Sequence, residues 1–274
     1  MSKPTGELKL SIRRKQTGKT YIAKQIYKMP MQVLTPYYPD KDGTAFIYLL
    51  NLAGGIFQGD RIVTEIDLDK DSSAFITTPS AGKLYKMMDD HAELVNHFKV
   101  NAGGALEYFP EYNIPYGMSK TYQENIFNID SDSFLFATDM VIPGRVDRGE
   151  SFEYDLYSNK TKIYVDNRLE VFEFSKIEPN NANLQSIGIF EGYPVYGSIY
   201  IHSKLLSDGL KAEVNSALSC NENIKGGISF ISGALAVIRV LGLGTEDVQK
   251  AMYNVWEISR KLLLNKPAVR IRRY

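Results

Sequence analysis

Between residues 7 and 166 the chain keeps returning to one pattern: a run of alternating apolar and polar residues, then a polar or glycine-bearing turn, then another run. ELKLSIRR, YIAKQIYK, TAFIYLLN, RIVTEIDL, SAFITT, ELVNHFKV, ALEYF, YQENIFNI, FLFATDMV, FEYDLYS and TKIYVD all read as strands bounded by Gly, Asp, Asn and Pro. The 18 tyrosines and 13 phenylalanines of the chain favour strands and gather here. No segment of helical period separates these runs, so the βαβ crossovers of a doubly wound sheet are not expected.

The runs also keep time. DKDSSAFIT near residue 72, VNAGGALEYF near 103 and IDSDSFLFAT near 132 share one form. Each is the end of a strand, a turn of polar or small residues, and a small or aromatic residue opening the next strand. A spacing of about thirty residues is what stacked strand pairs of a β-helix-like array produce, although a meander with regular turns would show something similar.

Helical periodicity appears only in the C-terminal third. Leu205, Leu206, Leu210, Val214, Ala217 and Leu218 make a stripe over 203–220. Val248, Met252, Val255, Trp256, Ser259 and Leu263 make a clearer one over about 245–265, with Thr245 as cap, Glu246 and Asp247 at the positive end of the dipole, and Pro267 as the stop. GGISFISGALAVIRVLG, between them, is β-like. The expected architecture is one domain, 1–274, β-rich over 1–202: a mainly β, stacked-strand, β-helix-like array with two α-helices in the C-terminal third.

Charge narrows the function. Lys plus Arg and Asp plus Glu each number 32, so the basic surface of a nucleic-acid binder is not expected, and a neutral chain suits a protein with protein partners. The N-terminus lacks an apolar leader, and the apolar run at 228–243 is broken by Gly233 and Arg239. A cytoplasmic protein without membrane contact is expected. The single cysteine, Cys220, excludes an internal disulfide; near a helix end and away from basic clusters, it reads as a buried structural thiol.

Enzyme motifs fail one by one. In LAGGIFQGDR, residues 52–61, Gly54 and Gly59 have phosphate-loop spacing, but Asp60 and Arg61 replace the required Lys and hydroxyl, and Asp60 would repel phosphate. TGKT at 17–20 lacks its first glycine, since Arg13 stands there, and SAGK at 80–83 runs into Leu84. Neither G-x-G-x-x-G nor G-x-S-x-G occurs. His91, His97 and His202 are the only histidines, and neither C-x-x-C nor H-x-x-x-H occurs. A metal would therefore be handled mostly by carboxylates, whose weak grip on a borderline cation suits transit. The candidates are Asp60, Glu107, Glu111, Asp139 and Glu173, with Asp60 set apart because the turn positions it. GRVDRGESF, 144–152, offers Arg145, Arg148 and Glu150 as a polar or partner-binding loop.

Taken in order, these pieces resemble the family of the urease accessory protein UreD, called UreH in some bacteria. The glycine loop is matched by Gly54, Gly55, Gly59, Asp60 and Arg61. A Thr-Thr strand end and Lys-x-Tyr are matched by Thr77, Thr78, Lys83 and Tyr85, and a LEYxP element by Leu106, Glu107, Tyr108, Phe109 and Pro110. Gly144, Arg145, Gly149, Glu150 and Phe152 come next, and Arg239, Val240, Leu241 and Gly242 precede the last helix. Gln58, where the family often has Gly, and the segment after Pro110, including Glu111, depart from the pattern.

The resemblance implies a non-enzymatic chaperone for urease maturation. It would bridge apo-urease to UreF and to the GTPase UreG, within a dimer of such heterocomplexes, and assist nickel delivery. It also implies a β-helix-like fold with a tunnel lined partly by carboxylates, and transient Ni²⁺ with no tightly bound cofactor. Asp60 would be a metal contact or gate on that route, with Glu107, Asp139 and Glu173 as further contacts. Arg145, Glu150, Trp256, Arg272 and Arg273 would contribute to docking. The alternative is a β-helical hydrolase using paired carboxylates about 5–9 Å apart.

Overall fold

The structure, a computed structural model, describes residues 3–181 and 183–271. The chain opens with β1 (Gly6–Arg14), β2 (Thr20–Lys28), β3 (Met31–Val33) and β4 (Ala45–Asn51), and continues through β5 (Arg61–Leu68), β6 (Ser73–Thr77) and β7 (Gly82–Leu84). Then come β8 (Ala92–Val100), β9 (Ala105–Tyr108), β10 (Asn113–Pro115), β11 (Lys120–Ile129), β12 (Phe134–Val141) and β13 (Leu156–Val165). It closes with β14 (Arg168–Ile177), β15 (Val195–His202), α1 (Asp208–Ser219), β16 (Ile224–Ser232), β17 (Leu235–Gly242) and α2 (Thr245–Leu263).

Two sheets face each other. One has the order β14-β13-β11-β8-β5-β1-β2; the other runs β16-β17-β15-β12-β9-β6-β4-β3, with β7 and β10 attached. Successive strands of the coil pair in parallel, β1–β5–β8–β11–β13 in the first sheet and β4–β6–β9–β12 in the second. The chain therefore winds as a β-solenoid of about four turns, with β7 and β10 as a short third side. Antiparallel hairpins close both ends.

The thirty-residue rhythm is the coil. Ser72 N donates to Asp69 O, Gly104 N to Asn101 O and Ser133 N to Asp130 O, so the same four-residue turn recurs at each corner. An Asp or Asn begins each one, as turn chemistry favours. Ser73, Ala105 and Phe134 then lie in register as the first residues of β6, β9 and β12.

Alternation decides what each face meets. Inward rows run across the first sheet: Ile12, Leu68, Val100, Ile129 and Val165, then Leu10, Ile66, Phe98, Phe127 and Ile163. The second sheet is buried on both faces, which is why all eight residues of β12 are buried. Its inner residues, among them Leu106, Leu135 and Ala137, join the lumen core. Its outer residues, among them Phe75, Phe136 and Ile199, pack under the helices with Trp256.

The two helices lie where the periodicity puts them, with the start of α1 and the end of α2 trimmed. Residues 203–207 are turn, and Ser207 caps α1 by accepting from Leu210 N at 3.3 Å. Thr245 does not cap α2. Extended Gly244 holds that position without a side-chain bond, and Thr245 is the first helical residue. Cys220, expected to be buried, is exposed: it follows α1 and falls off the stripe of Leu210, Val214 and Leu218 that the helix buries. FEYDLYS is mostly loop, since β13 begins at Leu156 and continues through TKIYVD as one strand. Arg272 and Arg273 lie outside the described residues. Among the described residues, no helix is long and apolar enough to cross a membrane.

Candidate functional site

One inward row of the solenoid breaks the apolar rule. Leu8, Thr64, Asn96, Asn125, Thr161 and Glu173 are register partners across β1, β5, β8, β11, β13 and β14. The neighbouring row adds Gln123, Asn159 and Ser175. Leu8 ends the polar column on one side, and Glu173 ends it on the other.

The side chains form a chain of hydrogen bonds. Asn96 Nδ2 donates to Asn125 Oδ1 at 2.9 Å, Asn125 Nδ2 to Asn159 Oδ1 at 3.3 Å, and Asn159 Nδ2 to Asp139 Oδ2 at 2.9 Å. Gln123 Nε2 donates to the other oxygen of Asp139 at 2.6 Å, and Asn113 links Gln123 to the Tyr157 hydroxyl. Asp139 comes from the inner face of β12 and is 6% exposed. Burial pushes its carboxyl up to about 6, and the nearby charge of Glu173 adds to the rise, while Gln123 and Asn159 oppose it. A protonation equilibrium that close to neutrality marks a functional candidate.

Glu173 sits where the two sheets part at the C-terminal end. The Tyr196 hydroxyl donates to it at 2.9 Å; Tyr200 and the Arg239 guanidinium also bind it. Arg239 lies in register with Ser198 and Asp139 on the opposite sheet. Asp139 and Glu173 are thus near enough to feel each other's charge, and they are the two sequence candidates that the fold brings together.

A cavity of ≈ 250 Å³ leads to Asp139. Gly54, Gly55, Ser80 and Lys83 line its outer part; Thr64, Asn96 and Gln123 line its inner part. The glycine loop shapes this mouth. Ile56 N donates to Lys83 O and Tyr85 N to Ile56 O, so the loop adds a rung beside β7. A Cβ on Gly55 would lie 2.2 Å from the Tyr85 ring, which stacks on Phe57 at 4.7 Å. Gly54 and Gly59 hold φ of 75° and 78°, backbone that glycine adopts without strain. Gln58, the departure from the family loop, accepts from Met88 N at 2.6 Å and Asp89 N at 3.1 Å and so pins the next corner.

Asp60 is half-buried in that loop, outside the cavity lining. Thr5 Oγ1 donates to its Oδ1 at 3.0 Å and Phe57 N to its Oδ2 at 2.8 Å. Arg61 turns to Glu93, with Nε donating at 2.9 Å. Glu107 points the other way from the cavity, to the helix side of β9. There it accepts from Trp256 Nε1 and faces Arg260 Nε at 3.1 Å. Burial raises its carboxyl, and the Arg260 charge acts against that rise. Glu111 accepts from Gln249 Nε2 at 2.9 Å.

The docking candidates are already engaged. Arg145 and Glu150 pair with each other, and the guanidinium lies 4.1 Å from the Tyr116 ring centre. Trp256 is 0% exposed, packed on Phe75, Phe109 and Tyr253, which removes it from any partner-facing surface.

Sequence reasoning missed the asparagines. Their signal was present, one Asn per coil at Asn96, Asn125 and Asn159. It goes unread when only titratable residues are weighed. Among the described residues, no group of three or more His, Cys, Asp or Glu side chains converges as a metal site.

Similarity to known proteins extends along nearly the whole chain. A family model described as UreD urease accessory protein matches residues 4–273. The chain is similar to the urease accessory protein UreD of Bacillus cereus, 30% identical over 274 residues with 100% of each chain covered. It is similar to that of Cenarchaeum symbiosum, 32% identical over 256 residues, covering 92% of this chain and 90% of the relative. The protein of the same name from Lachnoclostridium phytofermentans is 29% identical over 267 residues, with 97% and 96% covered.

Proposed function

Since the chain belongs to the UreD urease accessory protein family, and so serves urease maturation as a non-catalytic accessory protein, we propose that it carries nickel through the solenoid lumen toward apo-urease. The observation that carries the reading is the polar column inside a largely apolar core, ending at buried Asp139 and half-buried Glu173. Buried polar groups are costly unless they bond one another, and the rows Leu10, Ile66, Phe98, Phe127, Ile163 beside this column are apolar, which supports a role for it beyond packing.

The ligand chemistry suits transit. Carboxylate, amide and hydroxyl oxygens are weak ligands for a borderline divalent cation, so nickel would be attracted and released. It would enter by the mouth at Gly54 and Gly55, meet Asn96 and Gln123, and pass by Asp139 to Glu173. Asp60, bound to Thr5 and Phe57, would hold the mouth in shape, and Glu107 would tie the last helix to the solenoid. In the same reading the protein bridges apo-urease to UreF and, through UreF, to UreG.

The test is urease activation by the reconstituted accessory complex. Asp139→Asn and Glu173→Gln should each lower the nickel content of urease with the complex intact. Full nickel loading by the double variant would reject the route. Failure to co-purify with UreF or urease subunits would reject the bridging role.

A further inference from the structure

We propose that the third side of the solenoid is the docking surface for an amphipathic helix of a partner protein, with an acidic flank that meets Lys83 and Lys86. This rests on the bridging role proposed above and not on the nickel route. The surface is a ladder of stacked rings. Phe57 stacks on Tyr85 with ring centres 4.7 Å apart and planes 7° apart, Tyr85 meets Tyr116 edge-on at 4.9 Å, and the Arg145 guanidinium lies 4.1 Å from the Tyr116 ring centre. The backbone fixes this order: Tyr85 N donates to Ile56 O and Tyr116 N to Leu84 O, each at 2.9 Å. Each rung therefore comes from the next coil, and the ladder runs along the solenoid axis.

The ladder is open to solvent. Phe57 is 46% exposed, and beside the rings stand Met88 at 58%, Met118 at 38% and Val146 at 56%. Met88 N donates to Gln58 Oε1 at 2.6 Å and Met87 N to Met118 O at 3.1 Å, which holds the two methionines on neighbouring coils. An exposed apolar strip of this kind marks an interaction site, and Tyr, Phe, Met and Arg are the side chains that interfaces favour. Methionine also adapts to the shape of what it meets.

Spacing and charge define the occupant. Coils repeat every ~4.8 Å, as neighbouring strands do. One helical turn advances about 5.4 Å, so an apolar stripe with one residue per turn can meet one rung per coil. Side chains on one face of a strand repeat about every 6.8 Å and fall out of step. Four rungs span about 15 Å, the length of about ten helical residues. Lys83 and Lys86 stand before and after Tyr85; both are exposed and form no ion pair among the described residues. Arg145, at the end of the ladder, is neutralised by Glu150. The uncompensated charge beside the rings is thus positive at the second rung, and the helix that covers it needs carboxylates there. Asp89, on the same coil, lies past Met88, which keeps the acidic flank on the Tyr85 side of that methionine. Lys83 also lines the cavity mouth, so the docked helix would screen the charge that a cation meets on entering.

The test is binding of the full chain to purified UreF and, separately, to apo-urease. Three variants are compared with the parent: Met88→Glu, Lys83→Ala combined with Lys86→Ala, and Phe172→Glu, an equally exposed apolar site on the edge strand β14. All should melt with the parent, since every changed side chain is at the surface. The docking surface predicts that Met88→Glu weakens binding to one of the two partners by about tenfold or more and leaves the other unchanged. The double lysine variant should weaken the same interaction and flatten its dependence on salt, and Phe172→Glu should change neither. A photo-crosslinker placed at Val146 should join to an acidic helix of that partner. Wild-type binding by Met88→Glu, or an equal loss with Phe172→Glu, would overturn the docking surface and leave bridging standing. So would a crosslink to a second copy of this chain, or to a basic or non-helical segment. A loss with Met88→Glu beside an unchanged salt dependence in the lysine variant would overturn the acidic flank. Binding of neither partner by the parent would reject the bridging role itself, and the docking surface with it.

Discussion

The Trp256 indole donates to Glu107 Oε2 at 2.6 Å, joining the last helix to the solenoid across 149 residues of sequence. Arg260, one turn further along α2 and 0% exposed, binds Glu107, Asp40 and the Pro267 carbonyl. Removing one member of a buried charge network strands the others, so Arg260→Ala should lose about 3–5 kcal/mol in urea unfolding. Glu107→Gln keeps an acceptor for Trp256 and should lose less, about 1–3 kcal/mol. Its folded fraction should deliver nickel normally; failure to do so would return Glu107 to the metal route.

The glycine pair at the mouth should respond asymmetrically. At Gly55 a Cβ meets the Tyr85 ring and, at 2.8 Å, the Lys83 carbonyl, so Gly55→Ala must displace β7 or break the Phe57–Tyr85 stack. A loss of about 1–3 kcal/mol is expected from such overpacking. At Gly54 a Cβ meets nothing within 4 Å, and only the positive φ penalises alanine, by about 1 kcal/mol. Chemical denaturation of the two variants gives the order directly; an equal loss would mean that the close approach to Tyr85 is slack.

The solenoid was readable because its information is local. Asp69, Asn101 and Asp130 each start a turn, and the strands between them alternate, so period and turn chemistry suffice for the coil. Side-chain direction was harder. β12 is buried on both faces, which erases the alternation that would have shown Asp139 pointing inward. Glu107 alternates with Leu106 and Tyr108, but the apolar floor under α2 that makes its direction meaningful comes from residues far along the chain. The pairing of Asp40 with Arg260, 220 residues apart, has no local signal at all. β14 and β15, not singled out as strands from the sequence, carry the tyrosines and the glutamate that end the polar column.

Asp60 should prove structural first. Its two oxygens hold Thr5 and the Phe57 amide, and Arg61 N donates to the same Thr5 hydroxyl at 2.9 Å. Asp60→Ala should lose about 1–2 kcal/mol, the range for a capping carboxylate, and Asp60→Asn less. Nickel delivery by Asp60→Asn should match wild type in the reconstituted complex. A delivery defect in that variant at unchanged stability would make Asp60 a contact at the mouth.

Asp139 makes stability depend on pH in an unusual direction. Its carboxyl rises from 3.8 to about 6, chiefly through burial. Between these values the folded protein keeps a proton that the unfolded chain releases. Linkage then requires that this group's contribution be full below about pH 4 and decline as pH rises through 6, by up to about 3 kcal/mol. The other titrating groups cancel when Asp139→Asn is compared with the parent at each pH. The stability of the variant relative to the parent should therefore increase from pH 4 to pH 7.5 and level off above about pH 7. A flat difference curve would show that Asp139 is ionised without penalty in the folded protein. A curve of opposite slope would show that its hydrogen bonds from Gln123 and Asn159 outweigh burial.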